Sequence, residues 1–117
     1  MNILGREVFT EDIFQEIIRI RTQGEKAALV TIISIEGPGP REVGAKMLVR
    51  SDGSVMGSIG GGSLEAEVCR EAIEVIAESQ QKILQFELHG EGVEKALDTG
   101  FMSGGNYQIF IEPILPG

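Results

Sequence analysis

The sequence predicts an α/β chain of the α+β kind, one domain over residues 1–117 with a mixed β-sheet and two main helices packed on it. Three observations point there: two stretches of helical periodicity, one long apolar run rich in β-branched residues, and an Asp-Gly hairpin signal. The length of 117 residues suits a single hydrophobic core.

Residues 10–24 (TEDIFQEIIRIRTQG) open the order of elements with a helix over 11–23. Thr10 can cap it, Glu11 and Asp12 favour its positive end, and Gly24 stops it. Ile13, Ile17 and Ile20, with Phe14 and Ile18, form its apolar stripe. Residues 26–35 (KAALVTIISI) are too apolar to leave one face in water and predict a central strand. The loop EGPGPREVG follows, and its prolines and glycines fix the path of a shaped surface.

Residues 45–50 and 55–58 read as two strands joined by the tight turn Ser51-Asp52-Gly53-Ser54. Gly60-Gly61-Gly62 comes next, and Ser63-Leu64-Glu65 opens a second helix over 63–79. Its apolar positions are Leu64, Val68, Ala72, Val75 and Ile76. Residues 82–88 and 106–111 alternate as strands, the last one ended by Glu112-Pro113. Between them the polar stretch HGEGVEKALDTG has room for one helical turn.

Charge and composition narrow the function. A formal charge of −8 works against nucleic acid and against anionic membrane surfaces, both of which are bound largely through Lys and Arg. A small anion is still admissible, because a helix N-terminus supplies positive potential whatever the net charge. Cys69 is the one cysteine, so no intrachain disulfide or cysteine-rich zinc site can form, and no metal ligands are assigned. The start MNILGREVFTED shows neither a signal peptide nor a membrane span, and the expected location is cytoplasmic.

The residues 57–62 at the end of a strand and the start of a helix form the candidate site. Glycine lets the backbone come close to a ligand, and unpaired amides of the first helical turn attract negative charge. Gly60, Gly61 and Gly62 supply the bend and Ser63 a hydroxyl; the plain alternative is a steep turn with Ser63 as N-cap. Arg41 and Lys46 flank the proline-glycine loop and can reach a phosphate or carboxylate. Ser103, Gly104 and Gly105 make a second glycine turn, which would share a rim with the first if the two strands are neighbours.

Familiar nucleotide loops do not fit, since Gly62 is followed by Ser63-Leu64 with no Lys, and no G-x-G-x-x-G sits in a βαβ unit. His89 reads as a loop residue and Cys69 as a small buried hydrophobe. No catalytic residue is assigned. Two rival readings stand beside anion binding. One is a small hydrolase or transferase that uses the glycine turn as an oxyanion site, with Ser63 or Ser103 as nucleophile and His89 as base. The other is a structural subunit without ligand binding.

Gly37-Pro38-Gly39-Pro40-Arg41-Glu42-Val43-Gly44-Ala45-Lys46-Met47-Leu48-Val49, then Asp52-Gly53, then Gly57-Ser58-Ile59-Gly60-Gly61-Gly62-Ser63-Leu64-Glu65 resemble the N-terminal domain of the XdhC/CoxI family in order and spacing. Those proteins are accessory factors of xanthine dehydrogenase and carbon monoxide dehydrogenase. Ser103-Gly104-Gly105 and Ile111-Glu112-Pro113 resemble that domain's closing segment. The resemblance implies a chaperone-like maturation factor and not an enzyme. Such a factor would bind molybdenum cofactor (molybdopterin), assist its sulfuration, and hand it to a molybdenum hydroxylase such as xanthine dehydrogenase. By position it implies Arg41, Gly60, Gly61, Gly62 and Ser63 as ligand-side residues, with Glu65 as a capping acid.

Two departures accompany the resemblance. The family often carries cysteine where this chain has Ser63 and Ser103, and a hydroxyl is a poorer soft ligand than a thiolate. Larger members continue into a Rossmann-type nucleotide domain. The expectation here is a chain without that domain, which pairs with a separate Rossmann-domain protein or forms a homo-oligomer over its strand edges.

Overall fold

Helical periodicity in the first third of the chain becomes helix α1, Thr10–Thr22, in the computed structural model, which describes residues 8–37, 42–60, 62–89, 92–94 and 105–117. At 88–89, 92–94 and 105 the backbone alone is described. The N-cap is Phe9 and not Thr10: Asp12 Oδ2 accepts the Phe9 amide at 2.9 Å, the reach-back of a first-turn acid to the cap. Gly24 ends α1 as expected, with φ of +78°. The Glu25 amide donates to Ile20 O and the Gly24 amide to Arg21 O, the paired bonds of a Schellman turn. Ile13 and Ile20 are buried, while Phe14 and Ile18 stay exposed, so the apolar stripe is narrower than the sequence implies.

Six strands follow in one sheet: β1 (Ala27–Glu36), β2 (Lys46–Arg50), β3 (Val55–Gly57), β4 (Lys82–His89), β5 (Gly92–Glu94) and β6 (Gly105–Ile114), in the order β3-β2-β1-β6-β4-β5. Helix α2, Gly62–Glu78, connects β3 to β4. The α+β class and the two packed helices are as expected, but the sheet is antiparallel at every described pairing instead of mixed. The crossover through α2 does join strands that run the same way. It sets β4 down beyond β2, β1 and β6, so no two parallel strands become neighbours.

β1 is central, as its unbroken apolar run requires, because it is covered on both faces. Ala28, Val30 and Ile32 face α2 and share its core with Met47, Val49, Phe86, Tyr107, Ile109 and Ile111. Alternate residues Ala27 and Leu29 point the other way, onto Ile13 and Ile20 of α1. The β2-β3 hairpin turns as predicted. Gly53 takes a φ of +90°, and Asp52 Oδ1 accepts the Ser54 amide at 2.9 Å.

Three expectations about the last third are corrected. His89 is the last residue of β4, paired with Gly92 of β5, and not a loop residue; the rest of the polar stretch, 90–91 and 95–100, where one helical turn has room, lies outside the described residues. The final strand runs through Glu112 and Pro113, which pairs with Ala28. Proline is tolerated there because β4 begins opposite Ile111, so past that point β6 has a strand on one side only and one set of donors is dispensable. Third, β3 and β6 are separated by β2 and β1, so the two glycine turns do not come from neighbouring strands.

Candidate functional site

Antiparallel register decides which loops meet. Lys46 at the start of β2 pairs with Thr31, Gly57 at the end of β3 pairs with Met47, and Glu36 at the end of β1 pairs with Asn106 near the start of β6. The end of β4 pairs with Gly105 and Gly92. The connections after β1, β3 and β4 therefore leave from one end of the sheet, where β6 also begins. The first turn of α1 joins that end, where Thr10 and Ile13 stand against Gly57.

Residues 57–60 form a strap across this end. At Gly57 φ is +88°, and a Cβ would stand 2.7 Å from Lys46 O and 3.1 Å from Ile13 Cδ1. Only glycine suits both the conformation and the space. Ile59 is fully buried in the α2 core and plugs the strap into the domain.

On the α2 side of the strap, the expected unpaired amides are already used. Glu65 Oε2 accepts the Ile59 amide at 2.9 Å and the Gly60 amide at 3.2 Å, together with the Ser58 hydroxyl. A carboxylate held by backbone N–H groups near a helix start is itself an anion in that position. This corrects the picture of a vacant cradle at Ile59 and Gly60. It also gives Glu65 a larger part than a helix cap. The signal was present in the sequence as an acid in the first turn after a glycine run, but how far back its carboxylate reaches is a tertiary property.

The opposite side of the strap borders a cleft of about 590 Å³ lined by Val8, Thr10, Ile13, Gly44, Ala45, Lys46, Gly57 and Ser58. Lys46 is half-buried and its Nζ lies 3.3 Å from Thr31 Oγ1. Among the described residues no carboxylate lies within ion-pair distance of that ammonium, whereas Arg19, Arg50, Arg70 and Lys82 are each paired.

The sequence-predicted residues thus divide. Lys46 lines the cleft. The Gly60 amide faces Glu65. Gly62 and Ser63 are exposed in the first turn of α2, which begins at Gly62, so Ser63 lies inside the helix and is not its N-cap. Gly105 starts β6 at the same end of the sheet. Arg41, Gly61, Ser103 and Gly104 lie outside the described residues. Gly57 and Ser58, part of the turn over 57–62 that the sequence marks as the site, also line the cleft, whereas nothing in the sequence points to Thr10, because its place beside Lys46 depends on how α1 is laid on the sheet.

Cys69 on α2 is half-buried, and desolvation first, then the Glu65 charge, pushes its thiol up, so a thiolate is disfavoured. No helix among the described residues is long and apolar enough to cross a membrane.

Comparison with known proteins places this geometry. The model of the XdhC and CoxI family matches residues 20–87. The chain is 34% identical over 101 residues, 86% of its length, to the uncharacterized protein YqeB of Escherichia coli K12. It is 33% identical over 90 residues, 74% of its length, to the molybdenum cofactor insertion chaperone PaoD of the same organism. A crystal structure described as a xanthine dehydrogenase from Bacillus halodurans superposes with a TM-score of 0.68 over 86% of the chain at 27% identity. The chain spans 18% and 27% of the two Escherichia relatives and 30% of the Bacillus chain.

Proposed function

This chain belongs to the XdhC and CoxI family, and on that premise we propose that it is a chaperone-like accessory protein for molybdenum cofactor or a related phosphorylated pterin. In this reading it binds the cofactor and assists its sulfuration or its insertion into a molybdenum hydroxylase such as xanthine dehydrogenase. The work is done in the cytoplasm, with a homo-oligomer or a separate Rossmann-domain protein as partner. The family match and the name of the PaoD relative support the class of activity, and cofactor binding by this chain is the part of the reading argued from its own residues.

The observation that carries the reading is Lys46. In a chain of net charge −8, a half-buried ammonium without a carboxylate partner among the described residues, set in a cleft that Thr10 also lines, is where an anionic group gains most. The phosphate of molybdopterin suits it, and about 590 Å³ suits a ligand of that size, since small-molecule sites span roughly 300–1,000 Å³. Arg41, Gly61, Gly62, Ser63, Ser103, Gly104 and Gly105 are the further ligand-side residues of the proposal; Gly60 contributes its shape, its amide being bonded to Glu65. Serine at 63 and 103 favours holding the pterin over ligating its metal.

Titration of the protein with molybdopterin, followed by heat and by pterin fluorescence, tests this. The wild type should bind, and Lys46→Ala should bind roughly tenfold more weakly, about 1.4 kcal/mol, with unchanged circular dichroism. A wild type that gives neither heat nor fluorescence change would overturn the reading.

A further inference from the structure

The strap over residues 57–60 has two sides, and what holds one side sets the shape of the other. Toward the cleft it presents Gly57 and Ser58 beside Lys46. Toward α2 it is gathered by one oxygen, Glu65 Oε2, which takes the Ser58 hydroxyl and the amides of Ile59 and Gly60. The Ser58 Oγ in turn accepts the Gly60 amide at 3.2 Å. Donating its hydrogen to Glu65 and accepting from Gly60, that hydroxyl serves the strap.

We infer that Glu65 is a positioning residue for the Lys46 cleft: its carboxylate, on the far side of the strap, fixes Gly57 and Ser58 as the cleft wall. Hydrogen bonds to an ionised acceptor are roughly twice as strong as neutral ones, and three of them converge on one oxygen here. The strap has little other restraint. Gly57 is the last residue of the three-residue strand β3, Ile59 anchors by its side chain, and the Ile59 and Gly60 amides find their described partners at Glu65 and Ser58. Gly57 pairs with Met47, the neighbour of Lys46, and sits where not even a Cβ would clear the Lys46 carbonyl, so a shift of the strap is felt at Lys46 directly. The part of this inference that concerns ligand affinity rests on the function proposed above; the part that concerns strap and cleft does not.

The test uses the ligand-free protein first. In Glu65→Ala, amide exchange at Ile59 and Gly60 should quicken by about tenfold or more, as expected for a local opening, and the NMR signals of Gly57 and Lys46 should move. Exchange at Val30 and Ile109 in the central strands should not change. Glu65→Gln, which keeps the length and one neutral acceptor, should fall between wild type and Glu65→Ala and covers the case in which the alanine variant folds poorly. Molybdopterin affinity should drop in the same order, by roughly fivefold in Glu65→Ala, as a loosened wall must be ordered on binding. Unchanged exchange, or freed amides with Gly57 and Lys46 signals unmoved, would overturn the inference. A wild type that binds no molybdopterin would sink the cofactor reading alone, and the ligand-free arm would still decide the role of Glu65.

Discussion

Glu16 of α1 and Arg50 of β2 form an ion pair, Glu16 Oε2 accepting Arg50 Nε at 2.9 Å, and this contact ties the first helix to the end of β2 away from the cleft, where Arg50 pairs with Ala27. Arg19, one turn along α1, donates from NH2 to the same oxygen at 2.8 Å. The Arg19 hydrogen bond foremost, then the hydrogen bond and charge of Arg50, hold the Glu16 carboxyl down from 4.5 to about 2 against the opposing effect of burial. A depressed acid stabilises the fold above its unfolded value of 4.5, and that stabilisation drains away as pH falls toward about 2. Glu16→Gln should therefore cost about 1 kcal/mol at neutral pH, with wild type and variant converging as pH drops through that window. Urea unfolding at pH 7, 4 and 2.5 checks both the size and the sign.

Gly57→Ala should be the most costly glycine substitution on the described surface. It combines a φ of +88° with a Cβ at 2.7 Å from the Lys46 carbonyl, which is backbone and cannot swing aside. A loss of about 2–3 kcal/mol is expected, against about 1 kcal/mol for Gly44→Ala, where φ is +98° but space is open. Thermal unfolding of the two variants side by side gives the comparison.

Phe86 and Ile83 lie three residues apart on β4 with opposite fates. Phe86 is fully buried opposite Tyr107, while Ile83 is 62% exposed opposite Phe110 on the other face. Phe86→Ala should cost about 3–5 kcal/mol through the cavity it leaves. Ile83→Lys should stay within about 0.5 kcal/mol in denaturant unfolding.

Affinity for the pterin should also depend on salt if the Lys46 ammonium is the main attraction. Raising ionic strength from 0.02 to 0.2 M should weaken wild-type binding by several-fold, and should hardly affect the residual binding of Lys46→Ala. Fluorescence titrations at the two salt levels read this directly.

Elements written in local chemistry were legible in the sequence. The stop at Gly24, the Asp52-Gly53 turn and the doubly buried run of β1 are each fixed by a residue's own conformational preference or by its neighbours' periodicity. Pairing was not legible. That β6 would lie between β1 and β4, with Pro113 inside it, depends on where each strand ends relative to the next. The site divided along the same line. Lys46 was visible as a charge beside a shaped loop, but the return of Glu65 onto Ile59 and Gly60, which fills the amides the glycines free, is decided by the path of the turn in space.

Among the paired strands, the central pairing joins the two that lie farthest apart in the sequence, residues 27–36 of β1 against residues 105–114 of β6. During synthesis, α1 and the β2-β3 hairpin can gather on β1 early, yet the far half of the sheet has nothing to attach to until the last strand has been made. Such a fold is assembled late and as a whole, at the slow end for its size, because the entropy of closing so long a loop is lost before any of the contacts across it form.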